Sequence, residues 1–153
     1  MSSAFYLEFF VNDKDRFKML QKVFYELQKA KQNDFPSLED ENYWLKFFDK
    51  EALEYFWFPT EDQLKKLKEA EKSKMSGREL SELSSKMRGD KWHFASMLFC
   101  IDNSEYNLLS CELLFDSRMA RLEFDPLAHP YGGTEPLICL IESFGFKVTK
   151  DTG

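Results

Sequence analysis

An α+β fold is predicted by this 153-residue sequence, with an antiparallel sheet packed against two main helices. Apolar residues alternate at 4–11, and a helical repeat of apolar residues follows at 14–32. Residues 106–124 predict a hairpin, and a capped helical pattern at 134–144 precedes a short strand at 146–149. The order of strand, helix, strand, strand, helix, strand is that of the split βαβ, ferredoxin-like arrangement. An open α/β sandwich with a different strand order is the main alternative.

Residues 33–105 interrupt that order, and their patterns predict a largely helical insertion. Domains usually contain ~100–200 residues, so we expect a single domain spanning residues 1–153. Apolar residues make up 43% of the chain and charged residues 31%, which is typical of a soluble, folded protein and not of a disordered one.

The first strand and helix have the clearest patterns. One face of the strand is apolar throughout, with Phe5, Leu7, Phe9 and Val11. Asn12 or Asp13 is the expected N-cap of the helix. The helix carries an apolar stripe at Phe17, Leu20, Phe24 and Leu27.

The acidic aromatic segment, residues 33–59, has seven acidic residues against two basic ones, and eight aromatic residues lie within 43–58. Ser37 is the expected N-cap of a short helix that reaches Phe48. A second short helix is expected at residues 50–56.

Residues 60–105 predict three more helices. Thr60 and Gln63 form a capping-box pattern, and Ser76 with Glu79 repeats it. From residue 63 to 91 nine basic residues face five acidic ones, and the apolar lines are thin, so this part is expected to be mostly solvated. The apolar run from Trp92 to Ile101 predicts a buried helix, with a strand as the alternative.

The hairpin has a predicted register. A two-residue turn at Asp116-Ser117 makes opposite positions sum to 233. The apolar pairs are then Leu113 with Ala120, Cys111 with Leu122, and Leu109 with Phe124. On the other face Ser110 lies opposite Glu123, and Glu112 with Arg121 makes a cross-strand ion pair.

The C-terminal part begins with a loop at 125–133. Thr134 is the expected N-cap of the last helix, and Gly145 occupies the position of a C′ residue. Residues 151–153 are expected to be frayed.

Charge and composition exclude several classes of protein. The net charge of −6 disfavours nucleic-acid binding, which needs a basic surface to neutralise phosphates. The N-terminus lacks a basic region before an apolar run, so no signal peptide is predicted, and no apolar stretch reaches the ~20 residues of a membrane span. Three unpaired cysteines favour a reducing compartment, and we expect a cytoplasmic protein.

One candidate site is a sheet face. In the strand order 4-1-3-2, Glu8, Glu112, Arg121 and Glu123 share the face turned away from the main helices. Carboxylates crowded on one surface can coordinate a cation or act as acid and base, because like charges push their pKa values apart. The alternative is an ordinary solvated face with one ion pair, or one partly covered by the insertion.

A second candidate is the loop before the last helix. Its free backbone N–H groups can hold an anion, two glycines allow close approach, and two side chains can orient a ligand. The residues concerned are His129, Tyr131, Gly132 and Gly133. The spacing matches no nucleotide-binding motif, and such clusters are usually turns.

Catalytic and metal-binding patterns are missing from the sequence. His93 and His129 lack the companions of a metal site, and no nucleophile motif occurs. We therefore expect no metal and no cofactor, and favour a non-enzyme.

The acidic aromatic segment is the remaining candidate, as an interface. Its proposed anchors are Tyr43, Trp44, Tyr55 and Trp57. The alternative is that these rings fill a second small core. The sequence thus favours a non-catalytic, inhibitor- or immunity-like module that binds another protein or itself, and the alternative is a ligand-binding or enzymatic domain that uses the carboxylate-bearing sheet face.

Overall fold

The computed structural model describes residues 4–115, 117–128 and 130–153. Within them the chain forms four strands and seven helices. The strands are β1 (Phe5–Phe10), β2 (Tyr106–Leu113), β3 (Met119–Pro126) and β4 (Val148–Asp151). The helices are α1 (Lys14–Asn33), α2 (Glu41–Leu45), α3 (Lys50–Glu54), α4 (Glu61–Lys72), α5 (Gly77–Arg88), α6 (Phe94–Asn103) and α7 (Glu135–Ser143).

The four strands form one antiparallel sheet in the order β2-β3-β1-β4, so the predicted α+β class is confirmed. β1 lies in the interior of the sheet, beside β3. One face of the sheet is fully buried, at Leu7, Phe9, Cys111, Ala120, Leu122 and Phe124. Strands that bury alternate residues leave the intervening side chains on the opposite face.

The helices α1 and α7 supply the apolar side chains that meet the buried face. Asp13 caps α1 by accepting hydrogen bonds from the backbone N–H groups of Asp15 and Arg16. Six residues of α1 are buried, at Phe17, Leu20, Val23, Phe24, Leu27 and Ala30. A ring cluster joins the short helices to α7, because Phe48 packs on both Phe94 and Phe144.

The hairpin follows the predicted register only in the half next to the turn. Leu113 pairs with Ala120 and Ser110 with Glu123, but a bulge then shifts the pairing so that Leu108 lies opposite Phe124. The prediction that Leu109 faces Phe124 is therefore wrong, and Leu109 is partly exposed. Of the predicted turn, Asp116 lies outside the described residues.

The short helices of the acidic aromatic segment begin at aspartates. Asp40 caps α2 and Asp49 caps α3, each accepting from the backbone N–H three residues further on. Ser37 is not the N-cap, because its hydroxyl accepts from the N–H of Glu39 in a turn ahead of α2. The second helix spans residues 50–54.

The capping box of α4 is confirmed. The Thr60 hydroxyl accepts from the N–H of Gln63, whose side chain accepts in return from the N–H of Thr60. Ser76 caps α5, but its hydroxyl also donates to the Glu79 carboxylate, so the reciprocal bond is between the two side chains. The apolar run after Trp92 is helical, as α6.

The C-terminus differs from the prediction at two points. Thr134 lies at the N-cap position of α7, but its hydroxyl donates to the carboxylate of Asp151 at 2.7 Å and accepts no hydrogen bond from the N–H groups of the helix. The last residues are not frayed, because Thr152 accepts from the N–H of Tyr6 at 2.8 Å. Gly145 does follow α7 with φ +90°, a conformation that favours glycine. None of the helices in the described ranges is long and apolar enough to cross a membrane.

Candidate functional site

The sheet face predicted as a carboxylate site is organised around one ion pair. Arg121 Nε donates to Glu8 Oε2 at 2.8 Å, and its guanidinium carbon lies 4.0 Å from the centre of the Tyr6 ring. The hydrogen bond to Glu8 is the main cause that raises the pKa of Arg121. The guanidinium therefore turns to Glu8 on β1 and not to Glu112 on β2, where the ion pair was predicted.

Glu112 is directed away from the other candidates, around the free edge of β2. Its carboxylate accepts from the Tyr25 hydroxyl at 2.6 Å and from Gln21 Nε2 at 2.9 Å, both on α1. Gln28, one turn further along α1, donates to the carbonyl groups of Leu108 and Leu109 at the bulge. These three side chains follow one stripe of α1 and cover an edge that would otherwise be open to strand pairing.

The four predicted sheet-face residues thus do not converge on one point. Glu8 is paired with Arg121, Glu112 is held at the edge, and Glu123 lies beside Tyr6 in the register of β1 and β3. Within the described residues, no group of three or more His, Cys, Asp or Glu side chains is arranged to hold a metal ion.

Residues of the loop before α7 pack closely against other parts of the fold. His129 lies outside the described residues, and Tyr131 packs its ring against Phe5, Tyr106 and Phe124. A Cβ on Gly132 would lie 2.8 Å from Ser104 Oγ, so this glycine allows two segments to approach closely.

Carboxylates already surround the N-terminus of α7. Asp151 accepts from Thr134, and a Cβ on Gly133 would lie 2.6 Å from Glu135 Oε2. Negative charge at this position stabilises the helix and repels a second anion. The geometry therefore gives the predicted anion site no support.

The interface candidates divide by burial. Trp44 is fully buried, and its Nε1 donates to the Ser37 carbonyl at 2.9 Å, so its assignment to an interface is wrong. Tyr43 is half-buried, with Lys46 Nζ 4.1 Å from its ring centre. Tyr55 is also half-buried, and burial is the main cause that raises its pKa to about 12. Trp57 is half-buried as well.

Trp57 borders an open apolar groove of about 800 Å³. We call this the Trp57 groove; its lining residues are Leu45, Lys50, Leu53, Glu54, Phe56, Trp57, Phe58 and Lys91. The acidic aromatic segment supplies every one of them except Lys91. Lys91 follows α5 in the chain, and its Nζ donates to the Glu54 carbonyl at 2.9 Å.

Trp57 makes three contacts with other parts of the insertion. Its backbone N–H donates to the Trp92 carbonyl at 2.7 Å, and its Nε1 donates to Gln63 Oε1 at 3.2 Å. Its ring lies 5.3 Å from the ring of His93, whose pKa burial lowers. Gln63 is the residue that completes the capping box of α4, so the box is hydrogen-bonded to a residue of the groove wall.

A second hollow of about 440 Å³ is also lined by Trp57 and Phe58. Leu64, Leu67 and His93 contribute to its walls. The two rings therefore border both depressions. Sequence reasoning identified Trp57 but missed Leu45, Leu53 and Lys91, because only the folded insertion brings them together.

Two of the three cysteines are buried and offer no reactive thiol. Cys111 and Cys139 are buried, and burial raises the pKa of both thiols, which keeps them protonated.

Comparison with known proteins finds no matching family model, no matching curated protein and no matching solved structure. The geometry of the Trp57 groove is then the main guide to function.

Proposed function

We propose that this protein is a non-catalytic binding module that takes up apolar side chains of a protein partner in the Trp57 groove. The observation that carries the proposal is an open groove of about 800 Å³ with aromatic and aliphatic walls. Small-molecule pockets typically have ~300–1,000 Å³ and a mostly apolar lining with a few polar groups, so a groove of this volume has room for apolar side chains. Trp is also among the residues that contribute most to protein interfaces.

The charges around the groove suggest the chemistry of that partner. The acidic aromatic segment as a whole has an excess of acidic residues, but Lys50 and Lys91 line the groove itself against Glu54. A partner segment with apolar side chains and an adjacent carboxylate would complement the two ammonium groups. An inhibitor- or immunity-like role would fit such a module.

The finer fold assignment is part of the same proposal. We assign the sheet and its two main helices to the ferredoxin-like arrangement, with α2 to α6 as the insertion. The strand order β2-β3-β1-β4 with antiparallel neighbours supports this assignment.

The alternative, a ligand-binding or enzymatic domain that uses the carboxylates of the sheet face, has weaker support. Arg121 neutralises Glu8, and side chains of α1 hold Glu112 at the sheet edge. Neither carboxylate has the unpaired, crowded environment that acid–base chemistry requires.

The experiment is affinity capture from a lysate of the source cells on immobilised protein. We expect Trp57→Ala and Leu53→Arg each to weaken capture of the principal partner about 30-fold or more, as interface anchors do. Phe99→Ala is the matched control, because Phe99 is an exposed aromatic residue on α6 outside the groove. Circular dichroism verifies that all three variants fold, and full capture by both groove variants would refute the proposal.

A further inference from the structure

The sheet has a second face, opposite to the buried one, which we call the outer sheet face. Its side chains alternate with the core residues of the strands, at Tyr6, Glu8, Phe10, Met119, Arg121 and Lys150. None of these six described residues is buried, and Phe10 is 48% exposed. At the tip of the adjoining hairpin, Phe115 is 99% exposed. On the sheet itself, Phe10 lies beside its cross-strand partner Met119, and accessible apolar side chains of this kind are typical of an interaction surface.

The charges on the outer sheet face alternate across the strands. Reading from β3 to β4, the register places Arg121, Glu8 and Lys150 in one row, while Glu112 on β2 turns around the edge of the sheet to α1. The signs in this row are positive, negative, positive. Exchanging β3 with β1 exchanges Arg121 with Glu8, so each of these two charges then meets its opposite sign.

We infer that the outer sheet face binds a second copy of this chain about a two-fold axis that runs parallel to the strands, between β3 and β1. Such an axis places β3 of one copy over β1 of the other, in the aligned geometry of packed sheets. Arg121 then faces Glu8 of the second copy and Glu8 faces its Arg121, which joins two intramolecular ion pairs into a ring of four charges. This surface is separate from the Trp57 groove, so the inference is independent of the proposed function.

The rows on either side of the charges fit the same axis. Met119 and Phe10 are cross-strand partners, and the rotation places each over the other residue in the second copy. In the third row, Glu123 comes to face the hydroxyl-bearing ring of Tyr6. An apolar row, a charged row and a polar row are thus each matched with themselves.

The size of the face determines how strong the dimer can be. Four strands spaced about 4.8 Å apart and three rows about 6.8 Å apart give roughly 400 Å² per copy. Stable complexes bury about 800 Å² per partner. The dimer is therefore expected to be weak and to depend on protein concentration.

Sedimentation equilibrium with increasing concentration of the full chain, up to about 1 mM, measures this association directly. We expect a reversible monomer–dimer equilibrium, which Phe10→Lys weakens at least about tenfold by removing the apolar row. Leu64→Lys is the matched control, because Leu64 is similarly exposed on α4 and should leave the equilibrium unchanged.

A charge exchange distinguishes the two-fold arrangement from any other contact. Arg121→Glu alone sets like charges against Glu8, within the chain and across the axis, so this variant should remain monomeric. The double variant Glu8→Arg with Arg121→Glu restores both pairs and should dimerise again. Mixed with the original chain, however, it would oppose Arg to Arg and Glu to Glu, so mixed dimers should fall well below their statistical share.

The exchange leaves the mass unchanged, so one chain is labelled with ¹⁵N and the dimers are counted by native mass spectrometry. A wild-type chain that stays monomeric throughout would overturn the inference. So would dimers that tolerate Phe10→Lys, or mixed dimers in statistical amounts.

Discussion

The helices α1 and α4 illustrate two different ways in which this chain stabilises a helix. Six of the twenty residues of α1 are buried, whereas α4 buries only Ala70 among its twelve residues. The neighbouring α5 buries none of its described residues, 77–88. α1 is thus stabilised by tertiary packing, while α4 and α5 depend on their caps and on contacts with each other.

This difference has consequences for stability. Burial of a large apolar side chain contributes about 1.5–3 kcal/mol, and most helical stability in proteins comes from such packing. A capped but solvated helix opens locally at a much smaller free energy than the global one. We call the packed part of the protein, which includes α1, the firm region, and the solvated helices α4 and α5 the soft region. Since Gln63 of the α4 capping box also bonds Trp57, the Trp57 groove lies at the boundary between the two.

The largest expected effect is in the packed region. Trp44→Ala should destabilise the protein by about 3–5 kcal/mol, because it removes a fully buried indole and leaves a cavity. Leu64→Ala in α4 should change the free energy of unfolding by less than about 0.5 kcal/mol, since Leu64 is 43% exposed. Urea denaturation followed by circular dichroism measures both, and similar losses in the two variants would contradict the contrast.

An intermediate effect on stability is expected at the ion pair that joins α1 to the helical insertion. Arg16 of α1 donates to both oxygens of Asp49, from Nε and Nη2, each at 2.9 Å, and Asp49 also caps α3 by accepting from Ala52. Arg16→Met should cost about 1–3 kcal/mol, because a bidentate, partly buried pair is lost. Arg78→Met is the matched control, since its pair with Glu82 is exposed and should contribute almost nothing.

The same pair predicts a pH dependence. The hydrogen bonds from Arg16 are the main cause that lowers the pKa of Asp49 below 3.8 in the folded protein. The unfolded chain therefore binds a proton more readily at Asp49, and this contribution to stability is complete above the unfolded pKa and lost as the pH falls through the folded one. Asp49→Asn keeps a capping oxygen but removes the titration, so its stability should decline less steeply below about pH 4. If the free energy of unfolding fell equally steeply with decreasing pH in both proteins, the prediction would be refuted.

The two threonines ahead of helices show how much of this could be predicted from sequence. Thr60 forms the predicted cap because its partner, Gln63, is three residues away. Thr134 has an equally favourable local pattern, but β4 brings Asp151 within hydrogen-bonding distance, and a residue seventeen positions away cannot be found by local rules. Strand alternation, helix periodicity and caps are local, which is why the element order was predictable.

The errors in register, in burial and in the lining of the groove come from contacts between distant segments. Leu109 leaves the predicted register at a bulge whose carbonyl groups bond to Gln28 of α1, eighty residues earlier. Trp44 and Trp57 have sequence neighbours of similar composition. Only the packing of the folded insertion buries Trp44 and leaves Trp57 at the border of a groove. Lys91 reaches that groove from outside the acidic aromatic segment for the same reason.

The smallest expected effect tests whether the soft region responds on its own. Thr60→Ala removes the hydroxyl that accepts from Gln63 N–H, which typically costs about 1 kcal/mol. Because α4 is so little buried, we expect this loss to appear as faster hydrogen exchange of the α4 amides, with the α1 amides unchanged. Uniform acceleration in both helices would mean that α4 unfolds only with the whole protein. The Trp57 groove would then have a rigid wall, and the distinction between a firm and a soft region would not hold.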